Sequence, residues 1–297
     1  MDCISLRHAE RLAVMLKPTV SAGLNIAALA QRTGVPPDTL RKWEQRYQIL
    51  QPDRTAGGQR RYSERDVARV QWLRERIDEG YRIGVAASLL GTLGDEPART
   101  PRDHLQAMLR ALERGETSEV GLHLDQAFAL LGVDETLEQV VRPLLETVGE
   151  RWAAGELTVA EEHLVSEAVR SRLGHLLGDP GGGVHGVAVL ACAPGERHEL
   201  GLMMAAIALR RDGWKVVYLG ADTPLADAVA LVRRLGARFL GLSIALHEHA
   251  QGLELPHDVA LVIGGLGSSA ALARRLGGLW AGPDLRGAVE TLRALAA

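Results

Sequence analysis

The chain has 297 residues, enough for two or three domains, and although 46% of them are apolar, no apolar run is as long as a membrane span. It has no N-terminal secretion signal, and its two cysteines exclude a disulfide framework and a zinc-finger pattern, so we expect a cytoplasmic protein. The net charge is -3, yet residues 24–93 contain 12 Lys and Arg against 8 Asp and Glu, which favours an acidic partner for that segment.

Residues 1–23 predict a short extension to which we assign no function. Helices over residues 26–32 and 37–47 follow, separated by a four-residue turn, and this is the spacing of a helix-turn-helix. Pro37 stands at the start of the second helix, where a missing N–H is tolerated. This helix exposes donor-rich side chains of the kind that contact phosphates and guanine edges in duplex DNA: Arg41, Lys42, Gln45 and Arg46.

A basic hairpin, or wing, is predicted over residues 51–62, with glycines at its bend. Its candidate DNA contacts are Arg54, Arg60, Arg61 and Tyr62. Ser63 is a suitable N-cap for an amphipathic helix that reaches residue 79, since Asp66 lies three residues further on. On these residues alone, a helical protein-interaction module with an ordinary charged face is the alternative.

These motifs together resemble the MerR family of winged helix-turn-helix regulators. The matching stretches are Ile26-Ala27-Ala28-Leu29-Ala30, Gly34-Val35, Thr39-Leu40-Arg41-Lys42-Trp43-Glu44 and the wing from Arg54 to Tyr62. The resemblance implies a DNA-binding domain over residues 24–93 that binds a palindromic duplex as a dimer. It places the helix from Pro37 in the major groove and the wing on the DNA backbone.

A linker is predicted over residues 94–102, and residues 103–178 are helical without strand alternation. Helices over residues 103–114, 117–131, 134–154 and 159–177 would pack as an up-down four-helix bundle, kinked at Pro143. Trp152, Glu162 and His163 lie around the last turn. Taken alone, Trp152 is interpreted as a core aromatic residue and Glu162–His163 as a solvated pair.

Strands and helices alternate over residues 184–297, which predicts a parallel, doubly wound, Rossmann-like sheet of about five strands. His198 follows the first strand, in the loop where such sheets bind ligands. Glu196 is near enough to hold one ring nitrogen of His198, which would make the other nitrogen a better metal ligand. Gly201 allows a ligand to approach closely.

Two further groups of residues follow neighbouring strands of this predicted sheet. Ser243 ends the third strand and Gly264-Gly265 follows the fourth, so all three are expected beside the His198 loop. His247-Glu248-His249 has the residue types of a metal site, but the sequence places no third or fourth ligand. We therefore interpret these residues as a polar loop at the rim of the pocket.

The stretch from Glu196 to Gly201 is similar to the Asp-x-His-x-x-Gly motif of the cobalamin-binding fold, with glutamate at the aspartate position. Together with the MerR-like segment and the spacing Trp-x9-Glu-His, it resembles the cobalamin-dependent regulators of the CarH, CarA and LitR group. The resemblance implies that His198 is the axial ligand of cobalt. It also implies an upper pocket for the corrin and its adenosyl group, lined by Trp152, Glu162 and His163, and a slot for the dimethylbenzimidazole tail, lined by Ser243, Gly264 and Gly265.

One residue departs from this group. In its light-sensing members the residue after the tryptophan is a histidine that ligates cobalt once light has expelled the adenosyl group, whereas this chain has Ala153. A methyl side chain cannot ligate cobalt, so the resemblance leaves the light response open.

The sequence therefore predicts a multidomain, non-enzymatic, cobalamin-binding repressor with adenosylcobalamin as cofactor. Its expected partners are an operator duplex and further copies of itself, as a dimer or tetramer. Three alternatives stay open: a regulator that senses cobalamin without light, a corrinoid-dependent methyl carrier or enzyme module, and a regulator that has lost the cofactor and only assembles subunits.

Overall fold

The structure is a computed structural model that describes residues 23–55, 57–78, 83–92, 100–178, 182–254, 256, 258–282 and 284–296. The predicted extension over residues 1–23, apart from Gly23, and most of the predicted linker over residues 94–102 lie outside the described residues. The chain forms two compact units. Of the described residues, the first contains those up to His104 together with Asp125–Gly132, and the second contains those of Leu105–Leu124 and Val133–Ala297.

The first unit opens with the predicted helix-turn-helix. Its helices and strands are α1 (Ile26–Thr33), α2 (Pro37–Tyr47), β1 (Asp53–Arg54), β2 (Arg60–Arg61), α3 (Glu64–Asp78) and α4 (Ile83–Thr92). The side chain of Asn25 caps α1 by accepting a hydrogen bond from the N–H of Ala28, and Gly34 ends α1 with φ +70°. The predicted bounds of α2 are confirmed.

The wing is a short antiparallel hairpin in which Asp53 of β1 pairs with Arg61 of β2. The predicted cap of α3 is confirmed, because the Asp66 carboxylate accepts hydrogen bonds from the N–H and the hydroxyl of Ser63 at 2.8 and 2.7 Å. The core of this unit contains large buried side chains from its helices and from the last residue of the wing. They are Leu29, Leu40, Tyr62, Trp72 and Leu73.

Helical structure continues through α5 (Pro101–Glu113), α6 (Thr117–Leu131), α7 (Val133–Thr136), a π-helical segment (Leu137–Val141), α8 (Arg142–Ala153) and α9 (Val159–Leu176). The kink expected at Pro143 takes the form of the π segment just before it, where the N–H of Arg142 reaches back to the carbonyl of Leu137. Proline has no N–H to donate and its ring collides with the preceding turn, so the helix widens there. The third predicted helix is therefore interrupted.

The second unit contains a five-stranded, all-parallel sheet, as predicted. Its elements are β3 (Val187–Cys192), α10 (Leu200–Asp212), β4 (Lys215–Gly220), α11 (Leu225–Leu235), β5 (Phe239–Ser243), β6 (Leu261–Gly264), α12 (Ala270–Arg275), β7 (Leu279–Trp280) and α13 (Leu285–Ala296). The strand order is β4-β3-β5-β6-β7. Because β3 lies between β4 and β5, the loop that follows β3 emerges between the loops of both neighbours.

The sheet has an apolar core on both faces. One face packs Val189, Leu240 and Ile263 against α11 and α12, and the other packs Leu190 and Trp214 against α10 and α13. Burial on both faces explains why the strands are continuous apolar runs. Among the helices of the described ranges, none combines the length and apolarity needed to cross a membrane.

Candidate functional site

His198 lies in the loop between β3 and α10, and a buried carboxylate holds its ring. Oε1 of Glu196 is 2.6 Å from Nδ1 of His198 and 2.9 Å from its backbone N–H. The Glu196 side chain is fully buried, whereas that of His198 is 64% exposed. An ionised carboxylate only accepts hydrogen bonds, so Nδ1 carries the proton and Nε2 is the nitrogen that can bind a metal.

The second oxygen of Glu196 is held by the loop that follows β5. Oε2 accepts hydrogen bonds from the N–H groups of Ala245 and Leu246 and from Nδ1 of His249, each at 2.9 Å. Burial alone would raise the pKa of Glu196, but these bonds and those from His198 outweigh it and lower the pKa to about 2. The carboxylate is therefore charged at neutral pH and fixes the orientation of the His198 ring.

His249 is one residue of this site whose role the sequence analysis missed, because it was assigned to a polar rim. It lies in a short 3-10 helix, His247–Ala250, at the same edge of the sheet as His198. Two features of the sequence pointed to this role of His249. It follows the strand next to β3, and Glu196, at the position where the motif usually has aspartate, has one more methylene and reaches further.

The predicted glycines and Ser243 lie at the same edge of the sheet. Gly201, in the first turn of α10, is exposed and has open space where a Cβ would stand. Ser243 is buried and pairs with Gly264 across β5 and β6. Gly265 has φ +98°, and a Cβ there would lie 2.4 Å from the carbonyl oxygen of Ile244. Glycine is therefore required at position 265 by the packing of two loops, whichever ligand binds there.

The predicted upper-pocket residues lie on α8 and α9. Trp152 is 49% exposed, so its interpretation as a core aromatic is wrong. Oε2 of Glu162 is 2.6 Å from Nδ1 of His163, and the hydroxyl of Ser166 donates to Oε1. Burial would raise the pKa of Glu162, but the hydrogen bonds from Ser166 and His163 and a smaller electrostatic contribution from His198 lower it. Glu162 and His198 are thus brought close enough to interact electrostatically.

A second polar link joins α9 to the His198 loop. Arg170 of α9 forms an ion pair with Glu199, the residue after His198. The hydroxyl of Tyr218 on β4 donates to the other oxygen of Glu199 at 2.7 Å. This link, which the sequence analysis did not predict, fixes the helix that bears Glu162 and His163 against the loop that bears His198.

These residues fit a cobalt corrinoid by the chemistry of the donors. A single exposed imidazole, oriented by a buried carboxylate, supplies one ligand and suits a metal that brings its other ligands in a macrocycle. The open space at Gly201 and the exposed indole of Trp152 offer surfaces on which such a ring can lie. The residues that would hold cobalamin are His198 and side chains of α8 and α9.

The candidate DNA-binding surface is in the first unit. Arg41, Lys42, Gln45 and Arg46 are all exposed on α2, and Arg41 is paired with Asp38 at 2.7 Å. On the wing, Arg54 is exposed, Nε of Arg60 is 2.8 Å from Oε1 of Glu44, and Arg61 donates to the carbonyl of Gly23. The structure thus leaves these seven side chains accessible to a duplex.

The prediction that Tyr62 contacts DNA is wrong for its side chain. Tyr62 is 0% exposed, and its hydroxyl donates to Oε2 of Glu44 at 2.8 Å. Burial and this hydrogen bond raise the pKa of the Tyr62 hydroxyl. A backbone bridge to Leu24 draws the residue into the core, a non-local effect that the wing motif does not reveal.

Family models match three successive segments of the chain. The MerR HTH family regulatory protein model matches residues 24–92, and B12 binding domain models match residues 104–177 and 186–273. Among solved structures, the monomethylamine corrinoid protein of Methanosarcina barkeri is similar over 66% of this chain and 100% of its own, with a TM-score of 0.55 and 16% identity. That likeness shows a shared fold.

Curated relatives cover most of the chain. The HTH-type transcriptional repressor CarH of Myxococcus xanthus is 39% identical over 264 residues, which is 82% of this chain and 88% of the relative. The repressor CarA of the same organism is 34% identical over 263 residues, 82% of this chain and 87% of the relative. The chain therefore belongs to the MerR-type, B12-binding family of transcriptional regulators that includes CarH and CarA.

Proposed function

We propose that this protein is a transcriptional repressor that binds operator DNA through α2 and the wing and that binds cobalamin between α8, α9 and the His198 loop. The observation that carries the cofactor half is the 2.6 Å hydrogen bond from Nδ1 of His198 to buried Glu196, which prepares Nε2 as a ligand. The DNA half is supported by the exposed cationic side chains of α2 and by the family match over residues 24–92.

The proposed form of the cofactor is adenosylcobalamin. When bound, it supplies a cobalt–carbon bond that visible light can cleave. His198 would bind cobalt, while Trp152, Glu162 and His163 would contact the adenosyl group. The support is that Trp152 is exposed and that Glu162 and His198 are close enough to interact electrostatically, as expected if both border the upper pocket.

Cobalamin would act by changing how copies of the chain assemble. A ligand shifts an assembly only by its differential affinity for the two states, so the upper group must contact residues that move between them. The link from Arg170 to Glu199 is the connection by which α9 would respond to the cofactor. Assembly into a dimer or tetramer on an operator follows from this proposal.

A second candidate function is a regulator that senses cobalamin and not light. The observation in its favour is Ala153, an exposed residue at the end of α8 with no atom able to ligate cobalt. A corrinoid methyl carrier shares the fold of the second unit, but a DNA-binding segment has no role in such a carrier.

The deciding experiment is gel filtration of protein loaded with adenosylcobalamin in the dark, monitored at protein and corrinoid wavelengths and repeated after green light. Co-elution of corrinoid in the dark is expected, with His198→Ala as the variant that loses it. A decrease in size after light identifies a photoreceptor, and an unchanged size identifies a cobalamin sensor. Absence of co-elution in the wild type would contradict the cofactor proposal.

The DNA half has a separate test. Arg41→Ala should weaken binding to the operator by roughly 10-fold or more, the cost of one base contact, and weaken binding to random duplex less. Equal losses on both duplexes would make Arg41 a phosphate contact, and no loss on either would remove α2 from the interface.

A further inference from the structure

Asp222 has an unusual backbone conformation beside the His198 loop. It is exposed, lies between β4 and α11, and has φ +46°. The other non-glycine residue with positive φ among those described is Gln48, which ends α2. The left-handed region is costly for residues with a Cβ, and Asp and Asn are among those that tolerate it best. Such conformations persist where surrounding contacts hold them, often at functional sites.

Two hydrogen bonds in opposite directions join Asp222 to the His198 loop. Its Oδ1 accepts from the N–H of Gly195 at 2.7 Å. Its own N–H donates to the carbonyl of Glu196 at 2.8 Å. Asp222 therefore fixes the two consecutive residues that precede Arg197 and His198, and one of them is the residue that orients the His198 ring.

The same turn is held on its other side by the loop after β5. A Cβ on Gly195 would lie 3.3 Å from Cδ2 of His249, so the turn has little room on that side. The Glu196 carboxylate is bound by Ala245, Leu246 and His249. Because β3 lies between β4 and β5, Asp222 and His249 contact the loop after β3 from its two sides, one from the loop after β4 and the other from the loop after β5.

We propose that Asp222 is a positioning residue for cobalamin: it holds Gly195 and Glu196 so that His198 presents Nε2 to cobalt. This inference rests on the proposed function of His198. Without Asp222, the backbone of Glu196 would lose its restraint from the β4 side, and the bond from its N–H to the carbonyl of Ala193 and the bonds to its carboxylate would remain. The imidazole would then spend less time in the ligating orientation, and the cofactor would bind more weakly.

The test separates the hydrogen bond from the backbone conformation. Asp222→Asn keeps an acceptor and tolerates positive φ, Asp222→Gly keeps positive φ without the acceptor, and Asp222→Ala loses both. Asp227→Ala, on the exposed first turn of α11, is the matched control. Each full-length variant is titrated with hydroxocobalamin, and the affinity, the visible spectrum that reports histidine ligation and the melting temperature of the unloaded protein are measured.

We expect Asp222→Asn and Asp227→Ala to bind like wild type. Asp222→Gly should bind roughly 2- to 10-fold more weakly, the range that one hydrogen bond accounts for, with a smaller histidine-ligated fraction in its spectrum. Asp222→Ala should bind more weakly still.

Two results would overturn the inference. One is that Asp222→Gly matches the wild type in affinity and spectrum. The other is that Asp222→Asn loses as much as Asp222→Ala. Failure of the proposed function looks different, because the wild type itself would then show no histidine-ligated spectrum, and the role of Asp222 would fall with it.

Discussion

His249 donates a hydrogen bond to Oε2 of Glu196, and His198 donates one to Oε1, so a single buried carboxylate joins two imidazoles from neighbouring strands. The distances are 2.9 Å for His249 and 2.6 Å for His198. His249 therefore acts on the proposed cobalt ligand, His198, through the carboxylate of Glu196.

Replacing His249 should loosen cobalamin without abolishing its binding. In His249→Ala, Oε2 of Glu196 keeps its bonds from the N–H groups of Ala245 and Leu246, so the carboxylate stays ionised but is less firmly placed. We expect affinity for hydroxocobalamin to fall roughly 2- to 10-fold, the effect of one lost hydrogen bond. Equilibrium titration by absorbance measures it.

The matched control for this substitution is His247→Ala, which removes an exposed imidazole from the same 3-10 helix. It should leave cobalamin affinity unchanged. Equal losses in the two variants would mean that the loop as a whole, and not the bond to Glu196, determines binding.

The link between Arg170 and Glu199 predicts a second effect, on the mobility of α9. Arg170→Ala removes this ion pair together with the pair that Arg170 forms with Glu167 inside α9, while the bond from Tyr218 to Glu199 remains. Partly exposed pairs contribute little to global stability, so the melting temperature should change little. Faster amide hydrogen exchange is expected in α9, and bound adenosylcobalamin should dissociate faster.

Arg211→Ala is the control for that experiment, since it breaks another exposed ion pair within the second unit, with Asp134. It should leave hydrogen exchange in α9 unaltered. If Arg170→Ala also leaves the exchange of α9 and the release of cofactor at wild-type rates, the link does not restrain the helix.

Local sequence patterns predicted the parts of this site that depend on neighbouring residues. The bond between Glu196 and His198 spans two residues, and the position of the loop follows from the apolar run of β3. The role of His249 depends on how far the Glu196 side chain reaches toward the loop after β5, which no local pattern reports. Asp222 was missed for the same reason, since its partners are more than twenty residues away in the chain.

The first unit and the π segment also show that local patterns do not predict features that depend on distant contacts or on the exact form of a helix. The capping pair of Ser63 and Asp66 is local and was predicted, whereas the π segment before Pro143 was expected only as a kink. Tyr62 was assigned to DNA because it ends a basic wing, yet its bond to Glu44 and its bridge to Leu24 place it in the core. Burial is set by contacts across the fold.

The corrected role of Tyr62 predicts a loss of stability and not of DNA recognition. Tyr62→Phe keeps the buried ring and removes the hydroxyl that donates to Glu44, which costs about 1.5 to 3 kcal/mol for a bond to a carboxylate. The melting temperature should fall, while the operator affinity of the folded protein stays the same. Thermal denaturation and fluorescence anisotropy with a labelled operator measure the two quantities.

Arg54→Ala is the opposite case, because Arg54 is exposed on β1. It should keep the melting temperature and weaken DNA binding. If Tyr62→Phe weakens DNA binding at a temperature where it is fully folded, the hydroxyl has a role in the interface after all.

Ala153 permits a gain-of-function prediction about light. Ala153 is exposed at the end of α8, directly after Trp152, so a longer side chain at this position meets no buried neighbour. Ala153→His should supply a second imidazole at the proposed upper pocket, in addition to that of His198. After green light, protein loaded with adenosylcobalamin should then show the spectrum of a bis-histidine corrinoid, and it should retain the corrinoid during dialysis longer than the illuminated wild type.

Ala153→Gln provides the control, since it adds a polar side chain of similar reach that binds cobalt weakly. It should behave like wild type after light. An unchanged spectrum in Ala153→His would show that α8 does not bring residue 153 to the cobalt. A bis-histidine spectrum in the illuminated wild type would instead show that another imidazole takes the upper position, and His163, whose Nδ1 is already held by Glu162, would be the first to replace.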